Sequence, residues 1–282
     1  MKFFQSGLIA LIAVISLQVA APAAAQDAKR SLEQVEGDVY RFQNNFHFAM
    51  VVVTEDGIVV TDPINAEAVE WLKAELASRF DLPVTHMIFS HSHADHASGG
   101  QGWGDIEVIA HEEMRKHVKI GAVDTAMPTK TFSDEYSFEQ GGKTFELTYT
   151  GVGHGDDLIV AIVRPENVAF VVDAVSPKRL PWRDFPRTDI DGMIEQIKVV
   201  ESLDFDILLP GHSVVGTKED ATNTRLYIEH LMTEVQAALD AGQSEADILA
   251  SDITDAYQDW GGYADLRDLN IQGMIRWLSA GG

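Results

Sequence analysis

Short apolar runs recur along most of the chain, and many of them stop at glycine, proline, aspartate or histidine. Runs of this length that are rich in valine, isoleucine and phenylalanine are typical of buried strands. The sequence Glu55-Asp56-Gly57 marks a turn between two of them. The runs predict strands at residues 39–42, 48–53, 57–61, 85–90, 105–110, 145–150, 157–163, 167–172 and 205–209.

Between many of these runs, apolar residues recur every three or four positions, which is the period of an amphipathic helix. In residues 66–80, for example, Val69, Leu72 and Leu76 share one face. The same spacing predicts helices at residues 66–80, 112–120, 190–203, 223–239 and 263–278. Strands and helices therefore mix along both halves of the chain, and periodicity alone leaves the α/β and α+β classes open.

The segment 121–140 predicts a long connection between elements. It carries Met127-Pro128 and Phe132, so it could cover a cleft as a flexible loop. An ordinary surface connection fits the sequence equally well, and both interpretations stay open.

The densest chemistry in the chain is the run His91-Ser92-His93-Ala94-Asp95-His96, directly after the predicted strand at 85–90. Imidazole and carboxylate are common ligands of borderline cations such as zinc. A loop leaving a strand can direct His91 and His93 to one cation, and Asp95 and His96 to a second. This short run therefore predicts a metal site.

Three further strands end at a histidine or an aspartate beside small residues: they lead to His154, Asp173 and His212. Strand ends on one edge of a sheet are where ligands and active sites collect. The remaining histidines have no such context, and we interpret them as surface or packed residues: His47, His86, His111, His117 and His230.

Taken together, these motifs resemble those of the metallo-β-lactamase superfamily, the αββα metallohydrolases, from Asp62 to His212. The resemblance implies an α+β fold, a four-layer αββα sandwich with a metal cleft at one edge. It also implies that Asp62 orients the metal ligands without binding a metal itself. The alternative is that Asp62 is a simple turn residue before Pro63. It assigns seven ligands to two metal positions: His91, His93 and His154 to the first, Asp95, His96 and His212 to the second, and Asp173 to both.

The donor set implied in this way favours two zinc ions per chain, although iron or manganese remains possible. The oxygen-reducing di-iron branch of the family typically has glutamate at the place of His93, so this chain resembles the hydrolytic members more closely. Asp95 is the predicted catalytic residue, because it can both ligate and orient a metal-bound hydroxide. The chain has no Gly-x-Ser-x-Gly motif, which gives a serine esterase little support.

We expect a hydrolase that cleaves an ester, lactone, thioester or amide of a small-molecule substrate by a metal-bound hydroxide. A β-lactamase is the alternative within the same class, but the chain has no cysteine, so Asp173 stands where some zinc β-lactamases carry one. A non-catalytic metal-binding protein is the alternative of another class. Lys178, Trp103 and Trp182 could contact substrate, or serve as a solvated cation and packing residues.

The net charge and the amino-terminal sequence indicate the class of partner and the cellular location. The formal net charge of −23 argues against a nucleic-acid partner, since binding a polyanion needs a concentrated basic face. Residues 1–25 predict a signal peptide with a cleavage site at Ala23-Ala24-Ala25, leaving residues 26–282 as a single hydrolase domain. We therefore expect a periplasmic or secreted protein without stable membrane insertion after cleavage; the sequence leaves its oligomeric state open.

Overall fold

The computed structural model describes residues 28–281 of the chain. The predicted signal peptide lies outside the described residues. Within the described part of the chain, no helix is long and apolar enough to cross a membrane.

The first sheet has seven strands in sequential order. Strands β1 to β4 pair as antiparallel neighbours, and β4 to β7 pair in parallel, with α1 connecting β4 to β5. Their bounds are β1 Arg30–Glu36, β2 Val39–Asn44, β3 His47–Thr54, β4 Gly57–Thr61, β5 Val84–Ile88, β6 Glu107–His111 and β7 Lys130–Phe132.

The second sheet has five strands in the order β12-β11-β10-β9-β8. Strands β8 to β11 form an antiparallel meander, and β12 adds to β11 in parallel. The predicted strand pair around residues 164–167 is confirmed as the β10–β11 hairpin. The bounds are β8 Glu135–Gln140, β9 Lys143–Tyr149, β10 Ile159–Arg164, β11 Val168–Val171 and β12 Ile207–Pro210.

The five predicted helices are present, some with shifted ends, together with two short ones at α2 and α6. Their caps follow from local chemistry: the Asn65 side chain accepts a hydrogen bond at the start of α1, and Asp189 does so for α4. The bounds are α1 Ala66–Arg79, α2 Ala94–Ala97, α3 Glu112–Lys119, α4 Ile190–Ser202, α5 Lys218–Asp240, α6 Glu245–Leu249 and α7 Tyr263–Ala280.

The core has two parts because the first sheet buries both of its faces. Met50 and Val52 of β3 point into a core shared with the second sheet and with α4, α5 and α7. Ala49 and Val51 of the same strand point the other way, into a core shared with α1 and α3. Alternation along a strand thus produces helix, sheet, sheet and helix layers. The predicted four-layer α+β sandwich is confirmed.

The prediction of one long connection over residues 121–140 is wrong. This segment contains β7 and β8, and β8 pairs with β9 at the edge of the second sheet. Along β8, exposed and half-buried residues alternate, with Tyr136 and Phe138 on the half-buried face. An edge strand with one solvated face carries too few apolar residues to stand out as a buried run.

Phe145 of β9 tests the importance of packing between the sheets. Its side chain is fully buried and its ring stacks on Phe138, with centroids 4.8 Å apart. Phe145→Ala should lower the free energy of unfolding by about 3–5 kcal/mol, because it removes buried area and leaves a cavity. Leu226→Ala, at an exposed position of α5, should change it by less than about 0.5 kcal/mol. Equal losses in a denaturant titration would contradict this view of the core.

Candidate metal centre

The predicted ligands converge at one edge of the sandwich. The loop after β5 carries His91 and its neighbours through α2, and His154, Asp173 and His212 follow β9, β11 and β12. One loop thus comes from the first sheet and three from the second. Because the carboxyl ends of these strands share an edge, residues far apart in sequence meet there.

The first cluster contains His91, His93, His154 and Asp173, whose ligand atoms all lie within 4.8 Å of one another. Asp173 Oδ2 is 3.4 Å from His91 Nε2 and 3.2 Å from His154 Nε2. His154 Nε2 is 2.9 Å from His93 Nδ1. These are the three histidines expected at the first metal position.

The second cluster contains His96, His212 and the other oxygen of Asp173. The Nε2 atoms of the two histidines are 3.0 Å apart. Asp173 Oδ1 is 3.4 Å from His96 Nε2 and 3.3 Å from His212 Nε2. The two carboxylate oxygens of Asp173 therefore face different histidine clusters, as a bridging ligand requires.

Asp95 lies at the solvent side of the second cluster. Its Oδ2 is 3.6 Å from His212 Nε2 and 3.8 Å from His96 Nε2, and half of its side chain is exposed. Asp95 is thus close enough to join the second cluster while remaining open to solvent.

Three buried atoms of the centre have no hydrogen-bond partner: His91 Nε2, His96 Nδ1 and Asp173 Oδ1. Buried polar groups rarely remain unpaired, because their desolvation is costly. Two ligands of one tetrahedral zinc ion, each at about 2.0–2.1 Å, lie about 3.3 Å apart. Most of the separations around Asp173 are close to this edge length. The residues present therefore fit two cations, with imidazole and carboxylate donors throughout.

Asp62 and Ser90 lie behind the histidines. Asp62 accepts hydrogen bonds from the Ser90 amide at 2.8 Å and from the Ser90 hydroxyl at 2.6 Å. The Ser90 hydroxyl oxygen is 2.9 Å from His91 Nδ1, and Asp62 Oδ2 is 3.2 Å from His96 Nδ1. A proton on Nδ1 of each ring leaves Nε2 free to face the cluster. This is the supporting position that the resemblance implies for Asp62.

Gln196 of α4 is a supporting residue that sequence reasoning missed. It is fully buried; its Oε1 accepts from the His154 amide at 2.6 Å, and its Nε2 donates to the Gly151 carbonyl at 2.7 Å. A Cβ at Gly153 would lie 2.5 Å from Gln196 Oε1, so glycine permits this close approach. The sequence does contain a signal for this residue, because Gln196 is the one amide on the otherwise apolar inward face of α4.

The electrostatics favour the protonation states that cation binding needs at His93 and Asp173. At His96, burial alone would lower the pKa, but the carboxylates of Asp173 and Asp62 raise it well above its ordinary value. Burial, together with the neighbouring His91 and His154, lowers the pKa of His93 to about 3, so the ring is neutral. Burial alone would raise the pKa of Asp173, but the surrounding histidines, with His96 foremost, hold it well below its ordinary value. Neutral imidazole and ionised carboxylate are the ligating forms.

The interpretation of five histidines as unremarkable is wrong for His47. Its Nε2 is 3.4 Å from Asp95 Oδ2, and its ring centroid is 4.8 Å from that of His212. His117 lies in a separate cluster with two carboxylates. Its Nε2 is 2.6 Å from Asp156 Oδ1, and Asp157 belongs to the same cluster. The other three pack as expected: His86 stacks on Phe138, His111 stacks on Tyr149, and His230 bonds the Ile253 carbonyl.

The two tryptophans differ in their surroundings. Trp103 is buried in the core beside α1, which confirms its interpretation as a packing residue over that as a substrate contact. Trp182 is 62% exposed and lines an open groove with Arg179 and Arg183. Lys178 is exposed on the same loop after Asp173, with a left-handed backbone φ of 51°.

The chain belongs to the metallo-β-lactamase superfamily. The sequence model described as "Metallo-beta-lactamase superfamily" matches residues 44–212, which include all seven predicted ligands. The fold is also similar to that of a metallo-beta-lactamase from Pontibacter korlensis. The TM-score is 0.66 at 18% sequence identity, covering 71% of this chain and 99% of that one. Members of the superfamily are mostly metal-dependent hydrolases that bind divalent metals.

Asp62 provides a test of the supporting contacts. Asp62→Ala should weaken cation binding by about 10–100-fold, because two histidine rings lose the group that orients them. Chelator competition measures the affinity, and circular dichroism checks the fold. Asp247→Ala, which removes a cap of α6, is the control and should bind normally. If Asp62→Ala binds metal as tightly as the wild type, Asp62 has no supporting role.

Proposed function

We propose that the chain is a dinuclear zinc hydrolase of small molecules. The observation that carries this proposal is the position of Asp173, whose two oxygens each face a separate histidine cluster. A storage or structural site needs no such paired arrangement beside an exposed carboxylate. A non-catalytic metal-binding protein is therefore the weaker alternative.

A bound pair of divalent cations supplies Lewis acidity and lowers the pKa of water. The chain supplies position and charge. Asp173 is mostly buried and balances the charge of both clusters, whereas Asp95 is half-exposed and can accept a hydrogen bond from an incoming water. Asp95 is thus the residue that orients the water against the substrate.

Apolar side chains next to the ligands in sequence favour a substrate with an apolar part. Phe46, Val152 and Val214 are all more than half exposed, and each lies one or two residues from a histidine of the centre. Exposed apolar groups gathered at a polar site are typical of ligand contacts. We infer that they pack against the substrate beside the bond to be broken.

We rank esters, lactones and thioesters above amides as substrates of the reaction. A carboxylate bridge and an all-nitrogen-and-oxygen donor set suit an alkoxide or carboxylate product. A β-lactam amide leaves as a nitrogen anion, which needs a cation or hydrogen-bond donor to stabilise it. Lys178, the nearest cation in sequence to Asp173, is the candidate for that role. β-Lactamase activity is the second candidate, supported by the fold likeness to a named metallo-beta-lactamase.

The proposed site of action is the periplasm or the extracellular space. This proposal rests on the leader pattern of residues 1–25.

Asp95→Asn tests the catalytic assignment. The amide keeps the shape but loses the charge that orients the water, so kcat should fall by at least about 100-fold with the fold retained. Asp206→Asn is the matched control. Asp206 lies just before β12, at the opposite end of that strand from His212 and the metal centre. Steady-state kinetics of both zinc-loaded variants gives the comparison. Near-wild-type kcat in Asp95→Asn would rule out the assigned role.

The substrate ranking is tested by a panel on the zinc-loaded mature protein. The panel contains aryl esters, acyl-homoserine lactones, thioesters, phosphodiesters, nitrocefin and a carbapenem. We expect kcat/KM for an ester, lactone or thioester to exceed that for nitrocefin. If nitrocefin or a carbapenem is the best substrate, the β-lactamase alternative replaces our ranking, and if nothing turns over, the non-catalytic alternative does.

A further inference from the structure

The β2–β3 hairpin is attached to the loop that carries His212. The Phe48 amide donates to the Gly211 carbonyl at 2.9 Å. His212 Nδ1 donates to the Phe46 carbonyl, also at 2.9 Å. These two contacts flank His47, the first residue of β3, on either side. The backbone of His47 is therefore held against the second cluster, although 165 positions separate it from His212 in sequence.

The side chain of His47 reaches into this cluster. Its Nε2, the Asp95 carboxylate and His212 offer ligand atoms that all lie within 4.8 Å of one another. The His47 ring lies edge-on to that of His212, and its centroid is 5.8 Å from that of His96. His47 is half-buried, so the neighbouring groups limit its choice of partners.

The distance between His47 and Asp95 is informative. At 3.4 Å, Nε2 and Oδ2 are farther apart than in an ordinary hydrogen bond, which spans about 2.7–3.2 Å. Two donors of one cation, each bound at about 2.0–2.2 Å, lie about 3.3 Å apart in tetrahedral geometry. The same range separates Asp173 from the histidines of both clusters. The His47–Asp95 spacing is thus that of two neighbouring ligands.

We propose that His47 is a ligand of the second cation, an inference that rests on the proposed binding of two cations. The ligand atoms of His47, Asp95 and His212 form one group and those of His96, Asp173 and His212 form another, so His47 would join the second position from the side of Asp95. Each cation would bind three imidazoles and share Asp173. An additional imidazole strengthens the preference of the second position for zinc over harder cations such as manganese.

The competing explanation is that His47 only positions Asp95 by a hydrogen bond. The variants His47→Ala and His47→Gln separate the two roles. A glutamine amide can still donate to Asp95, but it is a poor ligand for zinc. His230→Gln is the control, because His230 is also a half-buried histidine, and its contact is the Ile253 carbonyl at the end of a different segment.

The experiment measures cation binding directly. Each variant is titrated with zinc against a chelator, and the cobalt-loaded forms are compared by visible and X-ray absorption spectroscopy. Both His47 variants should lose affinity at the second position by more than the ~10–100-fold caused by loss of an outer partner. The cobalt spectrum should show one imidazole fewer, with the first position and the His230→Gln variant unchanged.

Wild-type affinity and spectrum in His47→Gln would make His47 a positioning residue and overturn the proposal. Unchanged binding in His47→Ala would exclude either role. If the wild type binds two cations but the His47 variants do so equally well, only this inference fails. If the wild type binds no second cation, the dinuclear function fails with it.

Discussion

The structure depends on one carboxylate shared by two groups of histidines. Asp173 follows β11 with a backbone φ of 58°, a left-handed conformation that aspartate adopts more readily than most residues. This turn places its two oxygens between the clusters. A buried carboxylate is costly unless cationic or polar partners surround it. The four histidines within 3.4 Å, together with the cations they would bind, are those partners.

This arrangement requires both sheets to keep their relative position. The first sheet supplies the loop after β5, and the second supplies His154, Asp173 and His212. Packing between the sheets therefore helps to hold the ligands of the metal centre in position. Cation binding at these residues would be coupled to folding, because the unfolded chain does not bring the ligands together. A chain without cysteine has no disulfide to hold the same geometry.

Much of the fold and the centre could be predicted because the signals are local. Apolar runs that end at one ligand beside small residues mark β9, β11 and β12, and the cluster from His91 to His96 marks the loop after β5. His47 was missed because it is the first residue of β3, outside any motif, and approaches His212 only through a long-range contact of the β2–β3 hairpin. Gln196 and the edge strand β8 escaped for a similar reason, since tertiary contacts rather than local pattern define their places.

The most direct test of the shared carboxylate is a crystal structure of the zinc-loaded protein with anomalous scattering data collected at the zinc edge. The account predicts two peaks about 3.5–4 Å apart, one on each oxygen of Asp173. In an Asp173→Asn crystal, at least one peak should weaken or vanish. A single peak in the wild type after full loading, or two peaks that do not contact Asp173, would contradict the account.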